Sequence, residues 1–237
     1  MLCVQETKVQ DEHFPTEMIT ALGYPHMAFT GQKSYNGVAI FSRLPLSHID
    51  CMDVLGNGDR RHISARLSNG LTIHNFYVPA GGDIPDPTLN PKFRDKLAFI
   101  DDTADFMAAE HGFRDRAVLA GDLNIAPLEH DVWSHKDLLK VVSHTPIETE
   151  GLLRIQQKGK WVDLMRQHVP AEKKLYTWWS YRARDWETSD RGRRLDHIWS
   201  TAGIAPACKK IEILKEARGW QQPSDHVPVT VKVTAAA

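Results

Sequence analysis

Arg116-Ala117-Val118-Leu119-Ala120-Gly121-Asp122-Leu123-Asn124 decides how the rest of the chain is read. An apolar run this continuous, closed by Gly-Asp, belongs to a strand buried on both faces at the centre of a sheet. Its end then delivers a carboxylate and an amide to the sheet's rim. Working outward, alternating apolar and β-branched residues mark a strand at 36–42, entered through an Asn36-Gly37 turn. Two more, at 62–67 and 71–78, flank Ser68-Asn69-Gly70 and form a hairpin. The chain opens inside another strand, and later ones are expected at 175–180, 194–200, 210–214 and 227–233. Phe93, Leu97, Ile100, Ala104 and Met107 share one helical face. Asn90-Pro91 opens that helix and Gly112 closes it. A second helix is expected from Thr145-Pro146 to Gln157, and a third at 162–167; the most loop-like stretch is 81–91. Hairpins with helices inserted between them describe an α/β (α+β) layered domain.

The 237 residues are 42% apolar and carry 29 basic and 30 acidic side chains. That excludes disorder as a whole-chain description, and no apolar run approaches the roughly 20 residues of a membrane span. One domain is expected over 1–237. The first residues lack the basic and apolar regions of a signal peptide. Cys3, Cys51 and Cys208 form no C-x-x-C pair, so a reducing, cytoplasmic setting is expected. A net charge of -1 argues against a passive polycation on nucleic acid, while leaving room for a local basic groove.

Polar residues gather where strands end. Glu6 follows Leu2-Cys3-Val4, Asn75 and Tyr77 precede Pro79-Ala80-Gly81-Gly82, and Asp122 and Asn124 follow Gly121. Asp196 sits in Arg194-Leu195-Asp196-His197, and Asp225-His226 precedes the last strand. Taken singly, each has an ordinary reading as a solvated carboxylate or a turn residue. Taken together, the residue types fit metal-assisted phosphodiester hydrolysis. Glu6 and Asp225 are hard oxygen ligands suited to Mg²⁺. Asp122 is a candidate base for water, and Asn124 a donor to the attacked phosphate. His226 oriented by Asp196 would place a charged imidazole beside that phosphate.

These stretches also resemble the motifs of the exonuclease III family, which includes the AP endonucleases, within the endonuclease/exonuclease/phosphatase superfamily. The matching segments are Leu2-Cys3-Val4-Gln5-Glu6-Thr7-Lys8, Tyr35-Asn36-Gly37-Val38-Ala39-Ile40-Phe41-Ser42 and Asn75-Phe76-Tyr77-Val78-Pro79. Ala120-Gly121-Asp122-Leu123-Asn124-Ile125-Ala126-Pro127, Tyr176-Thr177-Trp178-Trp179-Ser180-Tyr181-Arg182, Arg194-Leu195-Asp196-His197 and Pro223-Ser224-Asp225-His226-Val227-Pro228-Val229 follow in the family's order. The resemblance implies a DNase I-like four-layer α/β/β/α sandwich, two packed mixed sheets flanked by helices. It implies Mg²⁺ dependence, with Mn²⁺ possible, and action as a monomer on double-stranded and abasic-site DNA. The expected activities are 3′→5′ exonuclease and cleavage 5′ to abasic sites, as in base excision repair.

By the same resemblance Tyr77, Asp122, Asn124, Asp196 and His226 are catalytic. The metal set is Glu6, Asp122, Asn124, Asp225 and His226. Trp178 and Leu195 form the pocket for an extruded abasic sugar. Arg182, Arg184, Arg191, Arg193 and Arg194, interleaved with Tyr181 and Trp186, form a DNA-contacting loop, with Arg182, Arg191 and Arg193 as its expected contacts. The chain departs from the family at Ala80, where an Asn is usual, and at Asp190. It also begins after the family's first strand and helix, roughly 25 residues. Two rival readings therefore stand beside the nuclease: a phosphatase or phosphodiesterase acting on a lipid or small phosphoester, and an inactive DNA-binding or scaffold protein.

Overall fold

The computed structural model describes residues 1–109 and 116–234. Its strands are β1 (Leu2–Gln5), β2 (His26–Gln32), β3 (Tyr35–Ser42), β4 (Leu46–Asp50), β5 (His62–Leu67), β6 (Thr72–Tyr77), β7 (Ala117–Asp122), β8 (Val162–Asp163), β9 (Asp196–Ser200), β10 (Cys208–Ile213) and β11 (Val229–Val233). The helices are α1 (Thr16–Ala21), α2 (Pro91–Ala109), α3 (His135–Leu138), α4 (Pro146–Lys158), α5 (Leu164–His168) and α6 (Trp186–Ser189).

A six-stranded sheet runs in the order β4-β5-β6-β7-β9-β8. Within it β6 and β7 are parallel and the other neighbouring pairs antiparallel. A second layer holds the antiparallel sheet β1-β3-β2 and the antiparallel pair β10-β11. Among the described residues, β6–β7 is the parallel pair and the pairs of the second layer are antiparallel.

The run at 117–121 sits inside the six-stranded sheet, as its composition demands. Ala117 and Leu119 face a core shared with Phe99, Ile100, Ala104 and Met107 of α2 and Leu152 and Ile155 of α4. Val118 faces the opposite way, with Ile63, Ala65, Ile73 and Tyr77, against Ala28, Val38 and Ile40 of the second layer. Each large apolar side chain buried in these layers contributes roughly 1.5–3 kcal/mol. Gly121 is required by close approach: a Cβ there would lie 1.9 Å from the Phe76 carbonyl oxygen on β6. The fourth layer is thin. Phe14 stacks on Phe29 with ring centroids 4.1 Å apart, and Tyr24 leans on Phe41, so the segment carrying α1 covers the outer face of β2 and β3.

Asn90 caps α2 by accepting from the Lys92 N–H at 3.1 Å, with Pro91 as the first helical residue. Gly112, expected to close this helix, lies outside the described residues. Thr145 and Glu148 form a reciprocal capping box at the start of α4.

Some elements differ from expectation. The turn into β3 is at Lys33-Ser34, and Asn36-Gly37 lies inside the strand with both φ angles positive. The 175–180 segment is extended but forms only isolated bridges, Trp178 with Arg193 and with His226. The 162–167 segment is a two-residue strand followed by α5. β2, β4, α1, α3 and α6 carry too little periodicity to have been read. Among the described residues no helix is long and apolar enough to cross a membrane.

Candidate active site

The site is assembled by register. Tyr77 at the end of β6 pairs with Asp122 at the end of β7, and Asp122 pairs with Asp196 at the start of β9. Side chains directly opposite one another on neighbouring strands stand about 4.5–5.5 Å apart. The row therefore sets a phenol and two carboxylates side by side at one rim, facing the second layer. A one-residue slip would turn all three away.

Asp122 is 6% exposed. Asn124, held at φ 53°, donates its backbone N–H to Asp122 Oδ1 (2.9 Å) and its amide Nδ2 to Asp122 Oδ2 (3.0 Å). The same Nδ2 donates to the Val78 carbonyl at 2.9 Å. Both amide hydrogens of Asn124 are thus engaged within the protein, and both carboxylate oxygens of Asp122 are fixed. His226 Nδ1 donates to Asp196 Oδ2 at 2.8 Å, and its Nε2 faces Asp122 Oδ2 at 3.7 Å. Burial pushes the Asp122 carboxyl up to about 7; Asp196 adds to that shift, and His226 opposes it. Burial disfavours charge on His226, but Asp196 and Asp122 outweigh it and push the imidazole up to about 10. The result is a charged imidazole beside a carboxylate poised near neutrality.

Glu6 reaches the row from the other layer. It follows β1 at φ 56°, and its carboxylate accepts the Tyr77 hydroxyl proton and pairs with Lys8 Nζ at 2.7 Å. Positioning comes from two sides. The Thr7 and Lys8 N–H groups bond to the Gly37 and Asn36 carbonyls, and a Cβ at Gly37 would meet Thr7 Oγ1 at 2.1 Å. Asn75, fully buried on β6, donates to the Val4 and Ala39 carbonyls (3.0 and 2.9 Å) and accepts from Gln5 Nε2 at 2.6 Å. Burial would raise the Glu6 carboxyl, but the bonds from Lys8 and Tyr77 outweigh it and hold it below the usual range.

The donor set fits a hard divalent cation. Lys8 is paired with Glu6 and kept charged first by it and further by Asp225. Asp122, Asp196 and His226 separately bring three ligand atoms within 4.8 Å of one another, a group that could take a metal only once His226 gives up its proton.

Beside this row stands an aromatic wall. Trp178 donates its indole N–H to Asp225 Oδ2 at 2.9 Å, and the Arg193 guanidinium lies 5.3 Å from its ring centre. Leu195 is buried in the cluster formed with Val132, Leu138 and Trp178, and its carbonyl accepts the Leu123 N–H. The arginine-rich stretch divides. Arg182 and Arg191 are exposed, Arg191 over the Trp133 ring. Arg193 turns inward and donates to the Val142 carbonyl and Ser143 Oγ. Arg194 is 1% exposed and paired with Asp131 and Asp163, which removes it from any surface loop. Asp190 is bonded by the Trp179 indole and Lys215, and Ala80 offers only its carbonyl, to Lys96.

Sequence reading missed Lys8, Lys96 and Glu148. A signal for two of them existed: Lys96 interrupts the apolar face of α2, and Thr145-x-x-Glu148 is a capping-box pattern.

Known proteins resemble this chain over nearly its whole length. The endonuclease/exonuclease/phosphatase family model matches residues 1–226. The chain is 31% identical to exodeoxyribonuclease III of Haemophilus influenzae, over 95% of this chain and 86% of that protein. It is 27% identical to the DNA repair nuclease APEX1 of Danio rerio, covering 98% and 72%. An AP endonuclease from Archaeoglobus fulgidus superposes with a TM-score of 0.90 at 31% identity, covering 99% and 88%. A 3′ phosphatase from Neisseria, solved with a product DNA hairpin, gives 0.89 at 30%, covering 99% and 88%.

Proposed function

We infer that this chain, which belongs to the exonuclease III/AP endonuclease branch of the endonuclease/exonuclease/phosphatase family, acts within that branch of hydrolytic nucleases. Within it we propose a metal-dependent DNA-repair phosphodiesterase that cleaves duplex DNA 5′ to abasic sites and removes nucleotides 3′→5′. The observation that carries this reading is the registered row Tyr77–Asp122–Asp196 with His226 held against it.

Asp122, its orientation fixed by Asn124, takes the proton of the attacking water. Its raised carboxyl makes it a stronger base than an exposed aspartate while leaving it ionised above neutral pH. The His226 imidazolium, aimed by Asp196, stabilises charge growing on the phosphoryl oxygens. Tyr77 contacts the scissile phosphate from the Glu6 side. A Mg²⁺ or Mn²⁺ ion held by Glu6 and Asp225 would screen the phosphate and the departing oxygen. Trp178 and Leu195 bound the sugar pocket, and Arg182 and Arg191 stand exposed for backbone contact, which fits DNA better than a lipid or small phosphoester. The proposal takes residues 1–237 as one catalytic domain acting as a monomer.

The test is incubation of the purified chain with a duplex carrying one tetrahydrofuran abasic analogue, a 3′-recessed duplex and a 3′-phosphate end, each in Mg²⁺, Mn²⁺ or EDTA. Incision 5′ to the analogue and 3′ trimming in metal, absent in EDTA, is expected. Folded protein that incises nothing in either metal overturns the proposal. Release of phosphate alone would favour a 3′ phosphatase, the activity named for the Neisseria protein.

A further inference from the structure

Lys96 and Glu148 are both 0% exposed and form an ion pair at 2.6 Å. Neither side chain can touch a substrate. All three ammonium hydrogens have acceptors: Glu148 Oε1, the Asn124 carbonyl at 2.8 Å and the Ala80 carbonyl at 3.3 Å. One cation thus joins α2, α4, the chain leaving β6 and the chain leaving β7. The Asn124 carbonyl belongs to the left-handed residue that fixes both oxygens of Asp122.

Glu148 extends the connection the other way. Its carboxylate accepts from the Ser143 N–H (2.9 and 3.0 Å), the Thr145 N–H (3.2 Å) and Thr145 Oγ1 (2.6 Å). That turn receives Arg193 at Ser143 Oγ and the Val142 carbonyl, and Arg193 lies over Trp178. Taking two charges out of water is costly, and an apolar pair of similar volume is often as stable. Stability alone is therefore a weak reason for this pair. Its contacts give a better one, because Lys96 leads to the Asp122–Asn124 turn and Glu148 to the turn that receives Arg193.

We infer that the buried Lys96–Glu148 pair is a positioning device, holding the Asp122–Asn124 turn through Lys96 and the Arg193–Trp178 wall through Glu148. Its effect on turnover rests on the nuclease reading above; its effect on the geometry does not.

The experiment compares Lys96→Met, Glu148→Gln and the apolar double variant Lys96→Met/Glu148→Met with the parent. Three quantities are read: melting temperature, kcat and KM on the abasic duplex at saturating metal, and ¹H–¹⁵N resonances of the Asn124 amide and the Trp178 indole. Lys96→Met lowers the melting temperature, because it leaves Glu148 buried and unpaired. The double variant restores it. Turnover stays down in both, about 10–100-fold with KM within about 3-fold, as small misplacement of reacting groups predicts. The Asn124 and Trp178 resonances move in both. A double variant with restored melting temperature, parental kcat and unmoved resonances overturns the inference. Should the double variant fail to fold, Glu148→Gln decides, since it keeps shape and removes charge: moved Trp178 and Asn124 signals support the pair, unmoved ones refute it. A parent inactive on DNA would sink the nuclease reading, while the resonances would still judge the pair.

Discussion

Asp122 and Glu6 both reach Tyr77, yet the two sides of the site are built differently. Asp122 stands at the end of an interior strand, 6% exposed, with both oxygens bonded by Asn124. Glu6 follows β1, the edge strand of a three-stranded sheet, and its side chain is 46% exposed. Burial wins at Asp122 and its carboxyl is raised. Partners win at Glu6 and its carboxyl is lowered. Two carboxylates whose surroundings push them apart can take separate tasks. The enclosed one suits a proton and the open, anionic one suits a cation.

The sharpest way to break this division is to remove each charge in turn. Asp122→Asn keeps the shape and loses the base, so kcat falls about 10²–10⁴-fold. The melting temperature should hold or rise, because a desolvated carboxylate has gone. Glu6→Gln should cost less, about 10–100-fold, and recover as Mg²⁺ is raised. Steady-state rates across a metal titration distinguish the two. Metal rescue of Asp122→Asn with none for Glu6→Gln would reverse the assignment.

Acid offers a second test, because the interior and the rim of the six-stranded sheet hold histidines in opposite states. Inside, burial lowers His62 well below its usual value, His74 to about 3 and His197 to about 4. Each is neutral when folded, so the unfolded chain binds more protons below about pH 6.5. Stability is therefore lost as pH falls from there toward the folded values, by about 2–3 kcal/mol each for His74 and His197 at pH 4.5, and His62 acts in the same direction. His226 runs the other way. Its contribution is complete below pH 6.5 and is lost as pH rises through about 10. Urea midpoints from pH 7 to 4.5 measure the loss. Imidazole resonances of the three interior histidines should not titrate above pH 5; a midpoint near 6.5 would show them solvated.

Legibility followed the same division. β5 was readable to the residue and β7 to within one, because an interior strand must be apolar on both faces or alternate cleanly. All the residues of the row fall at the ends of such strands. The apolar face of α2 was readable for the same reason, and α4 was readable from its Thr145-Pro146 start. What escaped depends on contacts between elements distant in sequence. β4 is almost wholly exposed and β2 buries only Ala28 and Thr30, so neither carries a long apolar or alternating run. The 175–180 segment has strand composition, but it bridges two loops rather than joining a ladder. Arg193 and Arg194 look like neighbours in one basic loop, yet they point into separate ion and carbonyl networks. Asn75 was noticed as a polar residue at a strand end, and its actual partners are on β1 and β3, not at the site.

Asn75 joins the two sides, so it gives the finest test of whether they are separate. Its amide ties β6 to the Ala39 carbonyl and to the Val4 carbonyl, two residues before Glu6. Two residues further along β6 stands Tyr77, the partner of Glu6. Asn75→Ala leaves buried polar atoms without these bonds, which costs about 1–3 kcal/mol of stability by urea unfolding. Its effect on turnover should be small at saturating metal, because Asp122 is held by Asn124 and not by Asn75. Its effect on the metal concentration for half-maximal rate should be several-fold, in the direction of Glu6→Gln, because Glu6 loses one of its two supports. A lowered kcat with unchanged metal dependence would mean that Asn75 acts through β6 on the Asp122 side, and that the two sides are one mechanical unit.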